Sequence, residues 1–219
     1  MLRRCLAIAT ITCAAVACSD GPSTQANAGD AGDAGSAEAG SDAGQGGVCD
    51  ARVEHYESAG QTHVELCSDV SYSTSPPTSG DHYGNWPQYK TYTTPLPYGF
   101  IVHGLEHGAV VFSYNCPDGC ADEVLAAQRM IDDALPSDEA CAAQGMARQR
   151  VILTPDPLLK SRWAAAAWTW SLNADCFDAV KFLEFYAAHY DHAPEQECGD
   201  GIDVGPDSGL PSPCGPPGD

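Results

Sequence analysis

Basic residues are scarce: ten Lys and Arg stand against thirty Asp and Glu, a formal net charge of −20. A surface of that sign repels phosphate backbones and argues against nucleic acid as a partner. It also suits solubility. No apolar run reaches the roughly twenty residues that cross a bilayer as a helix. The Cys-x-x-Cys spacing is absent, which argues against thioredoxin-type exchange. Neither Gly-x-Ser-x-Gly nor a phosphate-binding glycine loop occurs, so the common nucleophile and nucleotide patterns are missing. Methionine is rare. Met130 and Met146 read as helix or core positions, which leaves a methionine-rich copper site without support.

The chain opens Met1-Leu2-Arg3-Arg4 and then runs apolar from Cys5 to Cys18. A basic start followed by a short apolar stretch is a secretory signal. Its end, Ala15-Val16-Ala17-Cys18, resembles a bacterial lipobox, although alanine stands where leucine is usual. The expectation is a signal peptide over 1–17 with Cys18 acylated, anchoring the protein to a membrane through lipid rather than through a spanning helix. Plain secretion after cleavage near Ala17 is the alternative. Ser19 after the cysteine favours the outer membrane. Residues 19–47 are nearly all Ala, Gly, Ser and Asp. Such a segment buries too little apolar surface to offset its ordering entropy and is expected to be a disordered linker. A single globular domain is expected over 48–198, followed by a flexible Gly/Pro-rich tail over 199–219.

Eight cysteines lie beyond the signal: Cys49, Cys67, Cys116, Cys120, Cys141, Cys176, Cys198 and Cys214. An even number in an exported chain reads as a disulfide framework. Pairing neighbours in sequence gives Cys49–Cys67, Cys116–Cys120, Cys141–Cys176 and Cys198–Cys214. The rival use of Cys116 and Cys120, as half of a zinc site, lacks a second close pair to complete it.

Hydrophobic periodicity predicts a short strand at 63–67, a long irregular run over 71–99, and a buried strand at 109–114. An amphipathic helix is predicted over 122–134 and a strand at 150–154. The stretch 163–172 is ambiguous: its alanines favour helix, and the Trp168-Thr169-Trp170 alternation favours the strand assigned here. A second helix is predicted over 177–190. This mixture gives an α+β fold: a small, mostly antiparallel sheet with helices packed on one face, long irregular loops and disulfide bracing.

Two stretches combine histidine with glycine: Pro76-Pro77-Thr78-Ser79-Gly80-Asp81-His82 and His103-Gly104-Leu105-Glu106-His107-Gly108. Prolines and Gly80 make the first a rigid loop presenting one imidazole. The second spells His-x-x-Glu-His, the pattern of inverted zinc peptidases, which carry it on a long helix. On a helix the two imidazoles lie about 6 Å apart at the backbone. On a straight strand they would lie about 13 Å apart, too far for one ion. The glycines and the β-like run that follows make a helix poorly supported, so a turn is expected. His82, His103 and His107 are then candidate ligands for copper or zinc, with Glu106 as fourth ligand or orienting group and His63 joining from its strand. His55 reads as a surface residue. His189 and His192 sit at a helix C-terminus, where the dipole favours them.

Tyr72, the 76–82 loop, Val102 to Val111, Ala167-Trp168 and Pro194-Glu195, preceded by Gly60-Gln61-Thr62-His63, together resemble the bacterial extracytoplasmic family called domain of unknown function 3105, over about residues 54–195. The resemblance implies one secreted or membrane-attached domain. It points to His63, His82, His103, Glu106 and His107, and carries no activity with it. The sequence reading is therefore a cell-envelope lipoprotein whose domain binds one transition-metal ion, copper or zinc. Two alternatives remain open: a non-catalytic interaction domain whose histidines form a hydrogen-bonded network, and a metal-dependent hydrolase or oxidase.

Overall fold

The computed structural model describes residues 49–205, 208–210 and 214. The expected signal peptide, Cys18 and the 19–47 linker lie outside the described residues, as does most of 206–219.

Five strands form the main sheet: β1 (Ala51–His55), β4 (Val110–Tyr114), β5 (Val151–Pro155), β6 (Trp163–Ala167) and β7 (Trp170–Ala174). Their order is β1-β7-β6-β4-β5, with only β4 and β5 parallel. A separate parallel pair joins β2 (His63–Val64) to β3 (His82–Tyr83). The helices are α1 (Tyr98–Glu106), α2 (Ala121–Arg129), α3 (Glu139–Ala142) and α4 (Ala179–His189). The α+β class, the mostly antiparallel sheet and the disulfide bracing match the sequence expectation.

Alternation along the strands makes two cores. Val110, Phe112, Val151, Leu153, Trp163 and Ala165 face Ala127 of α2 and Phe182, Phe185 and Tyr186 of α4. Val111, Ile152 and Ala166 face the other way, onto Phe100, Ile101, Val102 and Leu105 of α1. Thus α2 and α4 share one face, as expected, while α1 covers the opposite face. Ala164 to Ala167 are buried throughout. Their small side chains let material pack on both sides of the sheet centre, which is why an alanine run that favours helix on propensity is a strand here.

Several elements differ from the sequence expectation. The stretch 163–172 is a hairpin of two strands, because Thr169 takes a left-handed conformation (φ 62°) and turns the chain. The last turn of the predicted 122–134 helix is a π-turn, Met130–Ala134. The strand predicted at 63–67 is paired only at its first two residues. β1 has no counterpart in the prediction; it is an edge strand whose Val53 is exposed, so burial left no pattern to read.

Three of the four predicted disulfides are corrected. The pairs are Cys49–Cys176, Cys67–Cys214, Cys141–Cys198 and, as expected, Cys116–Cys120. Antiparallel β1–β7 pairing, with Ala51 opposite Ala174, carries Cys49 to Cys176 across 127 residues of sequence. Register rather than sequence proximity sets that bond. The other two long-range bonds tie the C-terminal stretch to the body. That stretch is not a loose tail at its start: Ile202 bridges to Pro87, exchanging backbone hydrogen bonds with Trp86 and Gln88, and Val204 is buried. Apolar side chains within a Gly/Pro-rich composition supply that docking. Four disulfides mark an oxidising, extracytoplasmic environment. Among the described residues, no helix is long and apolar enough to cross a membrane.

Candidate metal centre

The His103–His107 segment is helical, contrary to the turn expected from its glycines. Gly104 lies inside α1, and Gly108 ends it. The Ala109 N–H bonds the Gly104 carbonyl and the Gly108 N–H bonds the Leu105 carbonyl, with Gly108 at φ 86°. That pair of bonds is a Schellman stop, which requires a left-handed residue just past the helix. Every residue from Gly99 to Glu106 is buried, so tertiary packing overrides the weak propensity of Gly, Ile and Val. Helical spacing therefore places His103 and Glu106 on one face, with His107 at the cap.

β3 crosses close to the start of α1. A Cβ at Gly99 would meet the Tyr83 ring at 2.6 Å, so only glycine permits this approach. The consequence is chemical: the Tyr83 carbonyl reaches His103 and accepts from Nδ1–H at 2.6 Å. On the same strand His82 donates Nδ1–H to the Gly80 carbonyl at 2.8 Å. A carbonyl can only accept, so both Nδ1 atoms carry protons. In the neutral rings both Nε2 atoms are then lone pairs. His82 Nε2 faces Glu106 Oε2 at 2.9 Å. His103 Nε2 faces His107 Nε2 at 3.1 Å.

The β2–β3 register sets His63 beside His82. Its Nε2 lies 3.5 Å from Glu106 Oε2, and its side chain is 54% exposed while that of Glu106 is 2% exposed. One donor atom from each of His63, His82, His103 and Glu106 falls within 4.8 Å of the others. His107 belongs to a neighbouring group, with Glu106 and Glu195. Burial lowers the His103 imidazole to about 3, offset in part by its bond to Tyr83, so the ring is neutral at physiological pH with Nε2 free to coordinate. Burial likewise lowers His107, against the pull of Glu195 and Glu106.

Of the five residues singled out from the sequence, the structure gathers His63, His82, His103 and Glu106 in one group and sets His107 in a second, so His63 takes the place expected for His107 beside His82 and His103. The structure adds Glu195, whose carboxylate lies 3.2 Å from His107 Nε2, and Trp86, whose ring packs 4.3 Å from His107 and 5.0 Å from His103. Glu195 sits in the Pro194-Glu195 motif, which by itself says nothing of where its side chain falls. The remaining histidines lie elsewhere. His55 is exposed, His189 stacks on Trp170, and His192 Nδ1 donates to the Ala188 carbonyl at the end of α4. Ser79 accepts from the Ala59 N–H and holds the loop.

The family model for a protein of unknown function, DUF3105, matches residues 63–200. The chain belongs to the DUF3105 family. No curated protein and no solved structure matches it. The span matched in this DUF3105 chain contains every member of both ligand-like groups, from His63 to Glu195.

Proposed function

We propose that this domain binds one transition-metal ion, zinc or copper, through Nε2 of His63, His82 and His103 and the carboxylate of Glu106, in a binding or storage role. The observation that carries this reading is the pair of backbone carbonyls at Gly80 and Tyr83, which hold two buried imidazoles in the tautomer that aims a lone pair inward. Metal-bound histidines are commonly oriented by such outer contacts. In a tetrahedral zinc site, donors about 2.0–2.2 Å from the ion stand about 3.3–3.5 Å apart. The separations of 2.9 Å and 3.5 Å from Glu106 to His82 and His63 bracket that spacing. Imidazole and carboxylate donors without sulfur suit zinc or copper(II). Elemental analysis of protein purified from an oxidising compartment is expected to give at least one ion per chain, falling by about one ion in His103→Ala. A parent protein with stoichiometry well below one ends this reading.

A second reading rests on the hydrogen-bond distances themselves. A proton between His82 and Glu106, and His107 Nε2–H donating to His103, would make the cluster a structural network that locks β3 to α1. Chelation separates the two readings.

The same proposal attaches the domain to the cell envelope through an acylated Cys18, with the outer membrane favoured. Its support is the lipobox-like sequence together with an environment that forms disulfides. Labelled palmitate is expected to enter the parent chain and not Cys18→Ser; equal labelling of the two would refute the anchor.

A further inference from the structure

Glu106 is shared between two ligand-like groups, and the second group contains an unsatisfied atom. Nδ1 of His107 is buried and has no hydrogen-bond partner. Its Nε2 lies 3.1 Å from His103 Nε2 and 3.2 Å from Glu195 Oε2. Two neutral arrangements are available. With the proton on Nε2, the ring donates to Glu195 or His103 and strands a lone pair at Nδ1. With the proton on Nδ1, the ring strands a donor there, and three acceptors then face one another: His107 Nε2, the fixed lone pair of His103 and the Glu195 carboxylate. A cation held among the three removes the opposition in the second arrangement.

The chain also builds Glu195 into place. Its N–H donates to the Glu106 carbonyl at 3.1 Å, and four residues earlier the Asp191 N–H donates to the Gly108 carbonyl at 2.9 Å. These bonds pin the 191–195 segment across the end of α1, so the side chain is presented to His107 from a fixed backbone. The position is otherwise open, since the Glu195 side chain is 54% exposed.

The geometry points to a second metal-ion site formed by His107, Glu195 and Glu106, so that the Glu106 carboxylate bridges a dinuclear centre. This inference rests on the first site being a metal site. Glu106 places Oε2 toward His63 and His82; a carboxylate has a second oxygen with which to join a neighbouring ion, and carboxylate-bridged pairs stand about 3.5–4 Å apart. Each site has one exposed ligand, His63 in the first and Glu195 in the second. The second site has three protein donors against four in the first, and is the one with room for an exchangeable ligand.

The test is copper(II) titration of the full chain, read by equilibrium stoichiometry and by electron paramagnetic resonance, with Glu195→Gln alongside. Glu195 is exposed, so this variant keeps the fold. The parent is expected to bind two equivalents, with the second producing the intensity loss or half-field signal of a coupled pair. Glu195→Gln is expected to bind one equivalent with an isolated axial signal. One equivalent in both proteins overturns the second ion and leaves the first site standing. No binding in either overturns both. Two equivalents with uncoupled spectra in both proteins place the second ion elsewhere and overturn the bridge.

Discussion

Removing bound metal with a chelator is expected to lower the melting temperature of the domain by about 8–16 °C. An ion present at a thousand times its dissociation constant stabilises the folded state by about 4.1 kcal/mol. For a domain of this size each 1 kcal/mol moves the midpoint by about 2–4 °C. The loss should be reversed by adding back zinc or copper and should be absent in His82→Ala and His103→Ala, whose midpoints start low. The physical basis is the inward-facing lone pairs of His82 and His103 against the Glu106 carboxylate. Without a cation or a shared proton these acceptors oppose one another in a buried setting. Thermal melting at constant pH, with the disulfides intact, is the measurement. A midpoint indifferent to chelator, combined with low midpoints in the histidine variants, selects the hydrogen-bonded network instead.

Replacing Arg150 by Met should cost about 3–5 kcal/mol, the range found when one partner of a buried ion pair is removed. Arg150 is almost completely buried. Its guanidinium donates to the His107 carbonyl and to Asp191, to Asp138 Oδ2 at 3.1 Å, and to the Tyr190 hydroxyl at 3.2 Å. One side chain therefore joins the C-terminus of α1 to the start of α3 and the end of α4. The acid limb of stability should move as well. Burial pushes the Asp138 carboxyl up, but bonds from Tyr190, the Cys141 N–H and Arg150 more than offset this and hold it below the usual carboxylate range. A depressed folded-state value means that its contribution is complete above the ordinary carboxylate range and fades as pH falls through the lower value. In Arg150→Met that value rises, so the fading begins at higher pH. Melting curves between about pH 2 and 6 check both parts. An Arg150→Met midpoint within about 2 °C of the parent at neutral pH, where about 6–20 °C is expected, contradicts the role assigned to the guanidinium.

The parts of the fold that were legible in sequence are those where burial leaves a period. Val110 to Tyr114, Val151 to Pro155, and the α2 and α4 faces announce themselves because their apolar residues face one core or sit in a strand buried on both faces. α1 was not legible. It carries two glycines and β-branched residues, and it is helical because Phe100, Ile101, Val102 and Leu105 are all buried against β4, β5 and β6. One signal was available: a glycine two residues past the last helical position is as much a helix stop as a turn. Misreading Gly108 turned a helical His103–His107 pair into an expected loop. The histidines themselves stood out because Gly and Pro around them imply fixed backbone. His63 joins them through register with His82, and Glu195 through backbone bonds to α1; neither relation has a local sequence signature.

The bond between Cys49 and Cys176 stands at the point where the chain enters its edge strand, β1. Tension arriving along the segment before Cys49 would otherwise unzip β1 from β7 one hydrogen bond at a time, the weakest direction in which a sheet can be loaded. Here the load passes through covalent sulfur directly to the strand behind. The same link prevents β1 from being lent to a second copy of the chain, the usual way an unprotected terminal strand leads to domain exchange.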